Sequence, residues 1–169
     1  EIGTIEPIAE IGKEILKWRK QHPSAGSGQA IYPYFHSDAC QAAGALDLNV
    51  EKLHTDLMTI NGSKIYGPKG VGVLFKKCDV DILPLIFGGG QEMRLRSGTE
   101  NVPGIVGIAK ALEMTQEKKD KESTRLRNLV EYFWKKIQEK ITKVRLNGPE
   151  MGDSRLPNNL NVSILDVEG

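Results

Sequence analysis

Apolar side chains at Ile8, Ile11, Ile15 and Trp18 recur at spacings of three and four, the stripe of an amphipathic helix, and Pro7 in front of them suits a helix's first turn. Pro23 to Gly28 is small and polar and reads as a loop. Ile31 to His36 is aromatic and β-branched, which predicts a strand, with Pro33 tolerable near its start or at a sheet edge. Ala39 to Ala45 suits a short helix. Asp56 to Ile60 and Val71 to Phe75 read as two further strands, separated by the loop Asn61-Gly62-Ser63-Lys64 and the break Gly67-Pro68-Lys69-Gly70. After Gly88-Gly89-Gly90 a polar run extends from Gln91 to Asn101. From Val102 the pattern turns helical, with Ile105, Val106, Ile108, Ala109 and Leu112 on one side. Residues 115–124 are highly charged, a solvated helical stretch or a turn, and a second stripe follows at Leu126, Leu129, Val130, Phe133, Ile137 and Ile141. Lys143 to Leu146 and Leu160 to Leu165 read as strands around a loop holding Gly148-Pro149 and Gly152. Helices and strands mix along the chain, so the class is α/β, without an internal repeat.

Composition narrows the function classes. With 39% hydrophobic and 27% charged residues, the 169-residue chain has the make-up of an ordinary globular protein. A net charge of +1 gives no field that argues for nucleic acid or an anionic membrane, and no apolar run has the length of a membrane span. Two cysteines, Cys40 and Cys78, are too few for a disulfide framework, which points to a reducing cytoplasm. His22, His36 and His54 are dispersed, and no Cys or His spacing matches a zinc site, so no metal is expected. Cys78 stands beside Lys76 and Lys77, which leaves a depressed pKa open, but packing is the blander role for both thiols. The chain starts at Glu1-Ile2-Gly3 without Met and stops directly after a strand-like run, so it reads as a piece of something longer.

Three segments place polar groups where strands end, the edge at which open α/β sheets bind ligands. In Phe35-His36-Ser37-Asp38-Ala39-Cys40-Gln41-Ala42-Ala43-Gly44, a carboxylate follows an apolar strand and can pair with a cation on a ligand; taken alone, the segment favours the alternative that Asp38 caps the next helix. In Asn61-Gly62-Ser63-Lys64-Ile65-Tyr66-Gly67-Pro68-Lys69-Gly70-Val71-Gly72, a lysine ringed by glycines can approach a ligand and, if desolvated, attack an aldehyde; a plain turn lysine is the alternative, and the phosphate-loop order of glycines is absent. In Gly88 to Asn101, small hydroxyl residues before a helix suit a phosphate ester, or cap that helix through Ser97 or Thr99.

Taken together, Asp38-Ala39-Cys40-Gln41-Ala42-Ala43-Gly44, Lys64-Ile65-Tyr66-Gly67-Pro68-Lys69-Gly70 and Arg96-Ser97-Gly98-Thr99-Glu100-Asn101-Val102-Pro103 resemble successive signatures of the class V aminotransferase-like cysteine desulfurases, in the family's order and at similar spacings. Glu1 to Ile5 and Leu156 to Ser163 match flanking segments, so the resemblance covers essentially the whole chain, and it is closest to the NifS/IscS-type branch.

The resemblance implies a pyridoxal-phosphate (PLP) transferase of fold type I. Residues 1–103 would be the later part of a large domain with a mixed, mostly parallel sheet, and 104–169 a bridging helix and the start of a small α+β domain. It implies removal of sulfur from L-cysteine, leaving L-alanine and an enzyme persulfide for iron–sulfur cluster or thio-cofactor assembly, with a homodimer and sulfur-acceptor or scaffold proteins as partners. By the same resemblance Lys64 carries the cofactor, Asp38 pairs with the pyridinium nitrogen, Gln41 bonds the phenolic oxygen, and Thr99 reaches the phosphate in the partner subunit's site. Asn61 and Ser63 fall where the family usually has Ser and His; their amide and hydroxyl still offer donors to the phosphate, without the histidine's possible charge. Neither cysteine falls on the family's persulfide position, and that loop and the substrate-carboxylate arginine lie outside the chain, so the piece alone should not turn over cysteine. The rival readings are a selenocysteine lyase, which shares these motifs, and a shortened non-catalytic scaffold or dimerisation module.

Overall fold

A computed structural model describes residues 1–22 and 33–167. The loop expected over Pro23–Gly28 and the first residues of the strand expected over Ile31–His36 lie outside the described residues. The elements run α1 (Ile8–Gln21), β1 (His36–Asp38), α2 (Val50–Leu53), β2 (Leu57–Asn61), β3 (Gly72–Lys76), α3 (Val102–Lys140), β4 (Val144–Leu146) and β5 (Val162–Ile164), with single 3₁₀ turns at Gly62–Lys64 and Glu92–Arg94. They form two compact units, Ile8–Thr115 and a second made of Glu1–Pro7 with the chain from Gln116 onward.

In the first unit the sheet order is β1-β2-β3, with β1 parallel and β3 antiparallel to β2. Alternation along β2 sends Met58 and Ile60 to one face, where they are buried with Ala39, Ala43, Ile65 and Ile108. Ala111 and Leu112 of α3 pack on the same core, so the start of that helix covers this face. The register pairs Asp38 with Thr59 and Thr59 with Leu74, placing all three on the opposite face, where Leu74 is 51% exposed.

Differences from the sequence reading have local causes. Strand β1 begins only at His36, because the Phe35 N–H is spent on the Asp56 side chain (2.8 Å) rather than on a ladder bond. That carboxylate is buried against the Arg19 guanidinium, with Nη2–Oδ2 at 2.5 Å and Lys77 Nζ at 3.8 Å. The helix expected over Ala39–Ala45 is instead a chain of turns that mixes three- and four-residue hydrogen bonds, Ala42 N–H and Ala43 N–H both reaching the Ala39 carbonyl. The four-residue α2 was not foreseen; Asn49 caps it by accepting from the N–H groups of Glu51 and Lys52, and His54 in the left-handed region (φ 57°) ends it. The charged stretch 115–124 does not break the helix. α3 is one helix of 39 residues, roughly 58 Å long at 1.5 Å per residue, and spacing-of-three pairs such as Arg125–Glu122 line its solvent side.

In the second unit the two expected strands form as β4 and β5, each three residues long, and pair antiparallel in the register Val144–Ile164 to Leu146–Val162. Its centre is Arg155, 2% exposed. Its guanidinium donates to the carbonyls of Ile2 (2.9 Å), Asn147 (2.5 Å) and Pro149 (Nε, 2.9 Å) and to Asn159 Oδ1 (3.0 Å). With the Ile5 N–H on the Ser154 carbonyl (3.0 Å) and the Leu156 N–H on the Gly3 carbonyl (2.8 Å), these bonds fasten the first residues to the far end of the sequence. No helix of the described residues is long and apolar enough to cross a membrane.

Candidate active site

Parallel pairing of β1 with β2 brings the C-terminal ends of both strands to one sheet edge, and the two segments that carry the chemistry leave from there. Asp38 is the last residue of β1. Its Oδ1 accepts the Cys40 N–H at 2.9 Å, so the turn-capping role is real. The side chain nevertheless stays exposed, and hydrogen bonds from Cys40, side chain first and then backbone, hold its carboxyl below the usual carboxylate range, with a smaller contribution from the charge of His36. Gln41 lies three residues on, in the same turn, and is exposed.

Lys64 closes the 3₁₀ turn that follows β2 directly. This turn is built tightly. Asn61 Oδ1 accepts from the Ser63 N–H (2.9 Å) and hydroxyl (2.7 Å), and the Gly62 carbonyl accepts from the Ile65 N–H (3.2 Å) and the Gly67 N–H (2.8 Å). Position 62 has to be glycine, since a Cβ there would stand 2.8 Å from the Pro68 carbonyl. Ile65 is buried as the anchor, while Lys64 before it and Tyr66 after it, the latter at φ 61°, face out. α3 braces the loop from beneath: a Cβ on Gly107 would come within 2.5 Å of Pro68 Cγ, so the helix backbone lies directly on the Gly-Pro corner. The lysine is therefore an exposed amine on a rigid stem.

Cys40 connects the two segments. Burial, then the hydrogen bond to Asp38, pushes its thiol up to about 11, while the Lys64 charge pulls the other way, so the thiol feels the carboxylate of one segment and the amine of the other. The packing role expected for Cys40 agrees with this. Cys78 is exposed, but the neighbouring cations are turned elsewhere: Lys76 Nζ donates to the carbonyls of Lys77 (3.0 Å) and Val80 (2.6 Å), and Lys77 leans toward Asp56.

The third segment is a separate, exposed loop. Its ends are tied by the Ser97 hydroxyl on the Gly89 carbonyl (2.8 Å) and the Gly98 N–H on Gln91 Oε1 (3.2 Å). Glu92, Met93 and Arg94 all have positive φ, an unusual run for residues other than glycine. Neither Ser97 nor Thr99 caps α3; Asn101 does, accepting the Gly104 N–H at 3.2 Å, which leaves the exposed Thr99 outside the helix start. His36, which from the sequence either flanks a cofactor or is a satisfied strand-end histidine, has its Nε2 2.7 Å from Thr59 Oγ1 on the strand that ends in Asp38, whereas nothing in the sequence pointed to the Arg19–Asp56 pair. Among the described residues no group of His, Cys, Asp and Glu could hold a metal.

A family model described as aminotransferase class-V matches residues 1–168. The chain is 45% identical over its whole length to a Dictyoglomus turgidum protein named cysteine desulfurase IscS, of which it covers 39%. Among solved structures, one described as a NifS-like protein superposes with a TM-score of 0.85 at 34% identity, over 99% of this chain and 42% of that one. Another, SspA in complex with cysteine, reaches 0.70 at 30% identity, over 97% of this chain and 41% of the other. The chain thus spans about two fifths of the length of its relatives.

Proposed function

This chain belongs to the class V aminotransferase family, and on that premise we propose that it is the lysine-bearing part of a PLP-dependent cysteine desulfurase. The reaction is removal of sulfur from L-cysteine, which leaves L-alanine and a persulfide for transfer to acceptor or scaffold proteins. The observation that carries the reading is the convergence of Asp38 and Lys64 on one edge of adjacent parallel strands, with Lys64 on a braced turn. The name of the relative at 45% identity and the cysteine held by SspA support the choice of substrate.

The donor set fits PLP: a primary amine for its aldehyde, a carboxylate held ionised for its ring nitrogen, an exposed amide at Gln41 for its phenolic oxygen, and amide and hydroxyl groups for its phosphate. When bound, the cofactor supplies an electrophilic aldehyde and a ring that draws electrons from the substrate carbon. Lys64 would hold the cofactor through its amine, and the same amine, when free, would move a proton at the substrate carbon. Asp38 keeps the ring nitrogen protonated. Ser63 donates its hydroxyl to Asn61 in the absence of a ligand, so the Asn61 Nδ2 would be the readier donor to the phosphate and the Ser63 hydroxyl would have to turn to join it, with Thr99 contributing from the partner subunit of a homodimer. The division into a large domain to about residue 103 and a smaller one beyond, and a cytoplasmic location, belong to the same proposal. Neither Cys40 nor Cys78 is assigned the persulfide, so this piece alone is expected not to desulfurate.

The test uses the protein at the full length of its relatives, purified with PLP. It should be yellow, and borohydride should fix the cofactor on Lys64. A colourless preparation in which Lys64→Ala behaves as the parent would end the reading.

A further inference from the structure

We propose that His36, held by the Thr59 hydroxyl, is a positioning residue that orients the Asp38 carboxylate for the cofactor ring, an inference that rests on the proposed function above. His36 and Asp38 are two apart on β1 and so project from the same sheet face. The parallel register sets Thr59 of β2 directly opposite Asp38. From that position Thr59 acts twice. Its carbonyl accepts the Ala39 N–H at 2.9 Å and lies 3.8 Å from the Cys40 thiol, fixing the turn into which Asp38 leads. Its hydroxyl lies 2.7 Å from His36 Nε2, so the imidazole is drawn forward along the strand toward the carboxylate instead of standing free in solvent.

An exposed histidine on a short edge strand has no packing reason to be held in this way, and the apolar face of the sheet lies on the other side. What the bond achieves is a fixed polar ring on the open face, next to the one carboxylate at this strand end. Cys40 ties Oδ1 from the turn side at 2.9 Å, and the imidazole flanks the group from the strand side. Asp38 is thereby tied on the turn side and has a ring of fixed position two residues back on the same face before any ligand arrives, which lowers the ordering cost of pairing with a ring nitrogen.

The experiment measures the PLP dissociation constant of the full-length protein by titrating the apo form and following visible absorbance. His36→Ala and Thr59→Val should each weaken binding roughly tenfold, the loss of one hydrogen bond acting on a charged group. Because both remove the same device, the double variant should be no more than about twofold worse than either single one. Thr59→Ser, which restores the hydroxyl, should bind within about twofold of the parent, a rescue that a merely structural role does not require. Apo-protein unfolding midpoints are compared in parallel, and Thr59→Val, which keeps shape and strand preference, carries the test if His36→Ala folds poorly. Parent-like PLP binding in either single variant overturns the inference, as do multiplying effects in the double variant or a failure of Thr59→Ser to rescue. Lys64→Ala and Asp38→Asn separate the two levels: a parent that takes up no PLP sinks the proposed function and this inference together. A parent that loses PLP on Asp38→Asn but not on His36→Ala sinks this inference alone.

Discussion

Replacing Asp56 should cost more stability than any other single change in the strand-bearing unit, although the residue sits at the end of the sheet away from Lys64. Its side chain is 6% exposed and that of Arg19 10%. One carboxylate gathers Arg19 Nη2 (2.5 Å) and Nη1 (3.3 Å), the Phe35 N–H (2.8 Å) and, at longer range, Lys77 Nζ (3.8 Å), while its own carbonyl accepts the Lys77 N–H (2.9 Å). The group thus joins α1, the entry to β1 and the exit of β3. Among the described residues, truncation to Ala leaves the guanidinium the Pro33 carbonyl alone and the Phe35 N–H no acceptor. Breaking a buried pair from one side costs about 3–5 kcal/mol. Asp56→Asn keeps an acceptor and loses only the charge, so about 1–3 kcal/mol is expected. The two strands would also lose their common starting clamp, loosening the register that aligns Asp38 with Thr59. Burial pushes the Asp56 carboxyl up, but hydrogen bonds from Arg19 and Phe35 and the charges of Arg19 and Lys77 outweigh it, so the folded value lies below the ordinary one. The sign follows: this contribution is fully present above the unfolded carboxylate value of about 4 and is lost as pH falls through the lower folded value. Urea unfolding of the full-length protein followed by tryptophan fluorescence, at neutral pH and at several values below about pH 4, reads both effects. An Asp56→Ala loss under about 1 kcal/mol, the range of a surface pair, or an acid-side loss unchanged in Asp56→Asn, refutes the reasoning.

Two further outcomes follow from particular contacts. At pH 8, iodoacetamide should label exposed Cys78 and spare Cys40, whose thiol, pushed up to about 11, is ionised in only roughly one molecule in a thousand; peptide mass spectrometry checks this, and equal labelling would contradict the placement of Cys40. Arg155→Lys cannot reach the carbonyls of Ile2, Asn147 and Pro149 together, so a loss of about 2–4 kcal/mol is expected by denaturant titration, with faster proteolysis near the first residues; an unchanged midpoint would show that water replaces the guanidinium.

What the sequence disclosed was whatever depends on local period and on turn chemistry. The stripe at Ile8, Ile11, Ile15 and Trp18 is a helix, and the apolar runs around Met58 and Val73 are strands displaced by one residue. The loop holding Lys64 lies between them as expected, because glycine and proline punctuate it plainly. Contacts between residues far apart in number were not legible. Nothing in the spacing announces that Arg19 meets Asp56 or that Thr59 faces His36, since both need the strand register, which becomes fixed only when the sheet assembles. Residues 115–124 were ambiguous for a different reason: a charged run carries no buried stripe, and its helicity rests on propensity and on neighbours at spacings of three and four. Asn101 was overlooked as the cap of α3 because Ser97 and Thr99, better known hydroxyl caps, stand just before it.

The order β1-β2-β3 leaves the outer margins of β1 and β3 without a strand partner among the described residues. Among the described residues each margin is a row of amide hydrogens and carbonyl oxygens that no strand takes up, and on β3 it runs beside the half-exposed Val73 and Leu74. Such a sheet behaves as an open valence: it accepts whatever extended segment is supplied. Produced by itself, this polypeptide should therefore zip onto copies of itself as concentration rises, and its solubility should report how well those two rows are filled.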